Sequence, residues 1–239
     1  MLIDPNTLRT APDRIEEIEK ATVRLVTQAV FDFRTEAAEI FSQEKDLAGD
    51  IGEDLTREAL DRMGVSRIPI RLFGKIDYKR ARYVFHPEYS VKQALFVDSK
   101  AEKISGESTA TIQTAQTSMR IRHIRDRRTT DEPGTLPVIV EREGENLLTT
   151  TIFVKYNYSE EKAGGNRLHS ITIACIPNGL LQDQYNPTAE DTIWRTGRNA
   201  PSRGEPFRAR LMFSALKAKA NWRVQKILLH PQESFTWEN

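Results

Sequence analysis

The sequence predicts an α/β protein, with a helical N-terminus followed by a mixed central β-sheet flanked by helices. Three observations predict it. Apolar residues between Asp13 and Gln43 recur at three- and four-residue steps, the period of a helix with one buried face. Later runs are rich in β-branched and aromatic residues and are bounded by Gly, Pro and Asn. At 239 residues, 38% hydrophobic and 29% charged, the chain can bury the core of one large domain.

The elements follow in order. Ile15, Ile18, Thr22, Leu25, Val26, Ala29, Phe33, Ala37 and Ile40 form the apolar stripe of one long helix over 13–43. Asp13 is its N-cap, Glu16 stands three residues on, and Pro12 bars an earlier start. Ile51 to Met63 is a shorter helix ended by Gly64. Strand-like sequence begins at Arg67 to Phe73 and continues through Ile76 to Phe85 and Val91 to Val97, with His86-Pro87-Glu88 turning the chain between the last two. Ser99 to Ala115 is polar and reads as loop or short helix. Arg120 to Gly134 is the least core-like segment and reads as mobile without a partner. Thr149 to Tyr158 and Leu168 to Ile176 form a hairpin through Gly164-Gly165. Pro177-Asn178-Gly179 turns the chain, and Tyr185 to Gly204 reads as loop. Phe207 to Phe213 is a strand leading into a helix around Leu216, and Arg223 to Leu229 is the last strand.

Composition narrows the function classes. A single cysteine, Cys175, excludes a disulfide framework and points to a reducing compartment. No run of about 18 apolar residues exists, so no membrane partner is expected. Met1-Leu2-Ile3-Asp4-Pro5 lacks the layout of a signal peptide, so a cytoplasmic protein is expected. Net charge is only +1, but its distribution is uneven. Residues 1–61 hold 7 Lys+Arg against 15 Asp+Glu, and residues 194–239 hold 9 against 3. Arg120, Arg122, Arg125, Arg127 and Arg128 crowd one short stretch. One selected face presented to a polyanion would fit this pattern. A salt-bridged, solvated surface would fit it equally well.

The chemistry-bearing motif is Asp98-Ser99-Lys100, at the end of the apolar run Ala94-Leu95-Phe96-Val97. An acidic residue two places before Lys occurs three times, at Asp77/Lys79, Asp98/Lys100 and Glu160/Lys162. Glu160 lies in a polar hairpin tip, where solvated charge is the simplest account. Asp98 is different, because a strand carries it to the edge of a core, where a carboxylate needs compensation. In a strand, side chains two apart share a face, so Asp98 and Lys100 point the same way. A neighbouring strand from Gly74-Lys75-Ile76 would bring Asp77 to the same place. Two carboxylates supply the oxygen ligands that suit Mg2+, and an ammonium beside them suits a phosphodiester. The bland alternative is a buried Asp–Lys pair without chemistry. Glu53 and Asp54, in the second helix, are candidates for a further ligand or an outer contact. Acidic residues favoured by the helix dipole explain that pair more simply.

These residues carry a resemblance. The chain resembles the SfiI-type type II restriction endonucleases, within the wider PD-(D/E)XK nuclease group. The landmarks are Gly49 to Leu60, Gly74-Lys75-Ile76-Asp77-Tyr78-Lys79-Arg80 with Arg82, and Leu95-Phe96-Val97-Asp98-Ser99-Lys100-Ala101. They continue with Thr151-Ile152-Phe153-Val154, Gln184-Tyr185-Asn186-Pro187, Ser202-Arg203-Gly204-Glu205, Arg208, Arg210 and Trp222-Arg223. A weaker likeness to BglI covers Pro177-Asn178-Gly179-Leu180 and the strand before it. The resemblance implies a restriction-endonuclease-like α/β core with Asp77, Asp98 and Lys100 catalytic, and Asp77 and Asp98 holding Mg2+. It implies cleavage of double-stranded DNA at an interrupted G/C-rich palindrome by a homo-oligomer, a tetramer with a dimer as the minimum. Residues 1–239 then form a single endonuclease domain. Its helical part is 1–63, its catalytic core strands lie in 67–115, and 145–239 is a β-rich DNA-recognition part.

Arg208 and Arg210 fall where the family reads bases, and arginine pairs bidentately with guanine O6 and N7. Arg198, in the preceding loop, and Asn186, in the Tyr185-Asn186-Pro187 turn, are further candidates for base contact. Backbone-phosphate binding without readout is the plainer role for all four. Two other functions compete. A structure-selective repair or recombination nuclease would share the metal site without needing paired arginine readout. A non-catalytic DNA-binding protein would keep the Asp–Lys pair as structure.

Overall fold

A computed structural model describes residues 2–43, 48–65, 82–86, 88–104, 108–162, 164–197 and 208–239. The helices are α1 (Pro12–Asp32), α2 (Arg34–Gln43), α3 (Ala48–Arg62), α4 (Gln182–Tyr185) and α5 (Phe213–Lys219). The strands are β1 (Arg82–His86), β2 (Val91–Lys103), β3 (Thr109–Gln113), β4 (Ile121–Arg125), β5 (Arg128–Glu132) and β6 (Ile139–Arg142). After them come β7 (Glu145–Glu160), β8 (Asn166–Ile176), β9 (Trp194–Thr196), β10 (Arg208–Met212) and β11 (Val224–Leu228). Among the described residues no helix is long and apolar enough to cross a membrane.

The main sheet runs β1-β2-β7-β8-β11, with β6 also pairing with β7. β2 and β7 are parallel, and the other pairs are antiparallel, so the sheet is mixed as expected. Both of its faces are covered, which explains why β7 is buried without a break from Leu147 to Asn157. Ile152, Val154 and Tyr156 join β8 residues Ile171 and Ile173 under a helical layer that includes Val26, Phe41 and Leu55. Phe153 turns to the other face, into a core with Ile112, Trp194, Leu211 and Leu216. That second core lies beneath a smaller sheet of order β3-β10-β9.

Five sequence expectations change, the first at the helix start: Ala11 is the N-cap and α1 begins at Pro12, so Asp13 lies in the first turn instead of capping it, because proline fits the first helical position. The 13–43 helix is broken at Phe33, whose φ of −93° and ψ of 1° end α1. No Gly or Pro marks the break, so packing decides it: Phe33, Ala37 and Phe41 are all buried in one core. β2 does not stop at Val97 but runs to Lys103, and β3 follows, so most of the expected 99–115 loop is strand. Extended pairing with β7, from Gln93↔Leu148 to Lys103↔Tyr158, outweighs the polar composition. The 120–134 segment is a β4–β5 hairpin whose two-residue turn, Asp126-Arg127, has φ values of 49° and 61°. Asp131 holds it by accepting from Arg120 at 2.8 Å and Arg122 at 3.3 Å. The expected 185–204 loop contains β9, which pairs with β10. The Thr149–Tyr158 and Leu168–Ile176 hairpin forms as expected, with positive φ at Gly164 and Gly165.

Candidate active site and nucleic-acid interface

β2 carries the acidic–lysine motif out of the core. Its residues alternate between the two faces of the main sheet: Val97 and Ala101 pack with the helical layer, and Asp98 and Lys100 take the other face. Asp98 is 4% exposed, and its Oδ2 accepts from Lys100 Nζ at 3.1 Å. Lys100 Nζ also donates to the Thr111 carbonyl at 3.0 Å and lies 5.3 Å from the centre of the Phe153 ring. The lysine side chain remains 33% exposed. A nearly buried carboxylate therefore stands behind an ammonium that solvent can reach. Its other acceptor, the Thr111 carbonyl, is neutral and can be exchanged for a stronger one.

α3 closes the helical side of β2. A Cβ on Gly52 would lie 3.1 Å from both the Lys100 carbonyl carbon and the Ala101 amide, so only glycine lets helix and strand backbones approach this closely. The C-terminal end of α3 is tied down by Arg82 of β1, which is 5% exposed. Its guanidinium donates to the Arg57 carbonyl at 3.1 Å, the Val65 carbonyl at 2.8 Å and the Asp61 carboxylate at 2.8 Å. This cation ties the last turns of α3, and Val65 just beyond them, to β1, at the helix end that favours positive charge. The next residue after Gly52, Glu53, is half-buried at the border of the buried face. Asp54 points outward and pairs with Arg57. Of the two acids named from sequence, Glu53 is the less exposed.

Among the described residues no three His, Cys, Asp or Glu side chains gather as a metal site. Asp98 contributes one hard oxygen donor, the type Mg2+ takes. Asp77 lies outside the described residues, and so does Arg198.

The small sheet presents the arginines. In the ladder Arg208 opposes Gln113, and Arg210 opposes Thr111, the residue whose carbonyl Lys100 holds. Arg210 is half-buried and its Nη1 donates to Thr109 Oγ1 at 3.3 Å. On its other side Arg210 opposes Arg195 of β9, which is exposed. Arg195 was missed by sequence reasoning; the one available signal was the β-prone triplet Trp194-Arg195-Thr196 inside an otherwise turn-rich stretch.

Asn186 is not placed for a base contact. It is fully buried, its Nδ2 donates to the Arg120 carbonyl at 2.6 Å, and its own carbonyl accepts from Gln182 Nε2 at 2.7 Å. The side chain is a joint between α4 and the start of β4. The expectation failed because turn sequences favour Asn for internal hydrogen bonds as readily as for external ones.

A mixed sheet with an acidic–lysine strand on one face and an arginine-bearing sheet above it defines a nuclease-type α/β architecture. Two solved structures share it. One is tetrameric restriction endonuclease SfiI bound to cognate DNA, with a TM-score of 0.83, 28% identity, and coverage of 99% of this chain and 93% of that one. The other is restriction endonuclease BglI bound to its DNA recognition sequence; its TM-score of 0.75 at 18% identity, over 93% of each chain, shows a shared fold. The family described as type II restriction enzyme SfiI matches residues 21–227. The type II restriction enzyme SfiI of Streptomyces fimbriatus is 32% identical over 238 residues, covering 94% of this chain and 88% of that protein. The chain belongs to the SfiI family of type II restriction enzymes.

Proposed function

We propose that this protein is a Mg2+-dependent type II restriction endonuclease that cuts double-stranded DNA at an interrupted G/C-rich palindrome. The observation that carries the proposal is the contact of Asp98 with Lys100, 3.1 Å apart on the strand beneath the arginine sheet. Membership of the SfiI family supports the reaction.

In this reading Asp98 and Asp77 are the oxygen ligands, and Glu53 is a further ligand or an outer contact. Bound Mg2+ supplies a Lewis acid that polarises the scissile phosphate and lowers the pKa of an attacking water. Lys100 exchanges the Thr111 carbonyl for the reacting phosphate or its water. There it stabilises the charge of the pentavalent transition state as the ammonium, or takes the proton of that water as the neutral amine, having first given its own proton to solvent. Arg208, Arg210 and Arg198 contact bases, with Arg210 on guanine. Arg195 adds a phosphate contact from the neighbouring strand. A palindrome calls for two-fold symmetry, so the active form is at least a dimer. The tetrameric relative bound to cognate DNA supports a tetramer.

The test is digestion of a long, fully sequenced DNA with Mg2+, followed by sequencing of every end. Discrete ends at one interrupted palindrome, absent when the metal is chelated, are the expected result. Unbroken DNA, or ends scattered without a common sequence, would sink the proposal.

A further inference from the structure

Lys155 is fully buried, and nothing in the proposed reaction uses it. It opposes Lys100 in the parallel ladder of β2 and β7, so the two lysines share the face beneath the small sheet. Its Nζ lies 2.7 Å from Glu102 Oε2 and donates to the Thr109 carbonyl at 2.6 Å. Lys100 repeats the arrangement one step along, with Asp98 as its acid and the Thr111 carbonyl as its acceptor.

The two carbonyls belong to one edge of one strand. β3 ends the small sheet, with β10 on one side. The Phe213 amide donates to the Ser108 carbonyl at 3.3 Å, so Ser108 faces β10. Strand alternation then turns Ala110 and Ile112 toward β10, and Thr109 and Thr111 away from it. Their carbonyls would be the open edge of the sheet. Two ammonium groups from the main sheet cap that edge.

Thr109 joins this cap to the arginines. Its carbonyl is held by Lys155, and its hydroxyl accepts from Arg210 Nη1 at 3.3 Å. The half-buried Lys100, whose side chain solvent reaches, can leave its carbonyl for a phosphate. Lys155 cannot reach solvent, and a buried ammonium is costly to strip of its partners. We propose that Lys155 is a positioning residue: its contact with Thr109 fixes the small sheet, and with it Arg210, at one distance from the Asp98–Lys100 strand. Base recognition is thereby held in register with cleavage while Lys100 changes partners. The inference rests on the functional reading above.

The test compares wild type with Lys155→Met and Glu102→Ala. Cut sites are mapped first with wild type. Metal-free affinity is then measured at fixed salt for DNA with the mapped site, and for the same DNA with one base pair changed. Single-turnover cleavage with Mg2+ and the thermal midpoint are measured alongside. One wrong base pair costs wild type roughly 5- to 150-fold in affinity. In folded Lys155→Met that ratio falls most of the way to one, and cleavage of bound DNA falls by about a hundredfold because the reacting groups are misplaced. Affinity for DNA without the site is unchanged, because phosphate contacts carry it. A role in stability alone would lower the thermal midpoint and leave the ratio intact. A folded Lys155→Met with wild-type ratio and rate overturns the inference. Should that variant fail to fold, Glu102→Ala decides: a drop of about threefold in the ratio supports the inference and an unchanged ratio overturns it. Wild type that cuts no DNA overturns the functional reading, and this inference with it.

Discussion

Two charged clusters in this molecule are built from the same chemistry and have opposite fates. One joins α1 to the far end of the main sheet. Glu19 and Arg223 are both fully buried, with Oε2 and Nη2 2.7 Å apart. Glu19 Oε1 accepts from the Asn178 amide at 2.8 Å, and the Arg223 guanidinium lies 4.3 Å from the centres of both the Tyr185 and Trp222 rings. Glu16 Oε1 stands 3.5 Å from Arg223 Nη2, and the guanidinium has no access to solvent. The other cluster is Asp98–Lys100, where the acid is buried but the lysine side chain is 33% exposed and shares its ammonium with a neutral carbonyl. A closed ion pair has no better partner to move to, so it can only hold the scaffold. An open one can trade a carbonyl for a phosphate, which makes it suited to chemistry.

Breaking each cluster should therefore damage a different property. Asp98→Asn is expected to lower Mg2+-dependent cleavage by about a thousandfold or more, from the loss of charge at the reacting centre. DNA binding and the thermal midpoint should stay near wild type. A variant that cuts at wild-type rate in a plasmid assay would remove Asp98 from the chemistry. Glu19→Ala should do the reverse. It takes away the buried carboxylate of Arg223, leaving only the partly exposed Glu16 at 3.5 Å, and costs about 3–5 kcal/mol of stability in urea unfolding. Replacing both residues together by apolar ones should recover most of that loss, and a double variant no better than the single would show the pair is more than scaffold.

Smaller effects sharpen the comparison. Arg210→Ala is expected to cost about 1–3 kcal/mol of discrimination at one base pair of the site. Arg195→Ala should weaken all DNA alike and reduce the slope of log affinity against log salt by about one. Equal losses on all sequences for both variants would make Arg210 a phosphate contact. The smallest effect is on pH. Burial lowers the pKa of His123, as it does that of His86, so the folded state prefers both rings neutral. The unfolded chain then binds more protons in acid. Stability from these rings is complete above the unfolded value of about 6.5 and is lost as pH falls through the lower folded values. Thermal midpoints should drop between neutral and mildly acidic pH, and His123→Gln should flatten that drop; a profile identical to wild type would discount His123.

Legibility in the sequence followed the strength of local signals. The alternation through Asp98 and Lys100 showed that they share a face, because the side-chain period of a strand is fixed. The β7–β8 hairpin was legible from two apolar runs about Gly164-Gly165. The break at Phe33 was not, since no helix-breaking residue marks it. The β4–β5 hairpin was hidden because only Ile121 and His123 of β4 are buried, while β5 is polar and largely exposed and Asp131 pairs with Arg120 and Arg122. Asn186 misled for a related reason: its residue type states that it bonds, and only the surrounding chain states to what.

The sequence by itself determined the α/β class, the acidic–lysine motif, the asymmetry of charge and the chain-long likeness to SfiI-type enzymes. All of these live in residue identity, periodicity or order. Only the tertiary structure decided which charges are closed and which open, which of Glu53 and Asp54 is the more buried, that Arg195 lies opposite Arg210, and that Lys155 stands opposite Lys100 with both lysines capping β3. These depend on contacts between residues tens of positions apart. Burial and partner choice are properties of the packed chain, and they determine whether a given Lys or Asp serves as scaffold or as reagent.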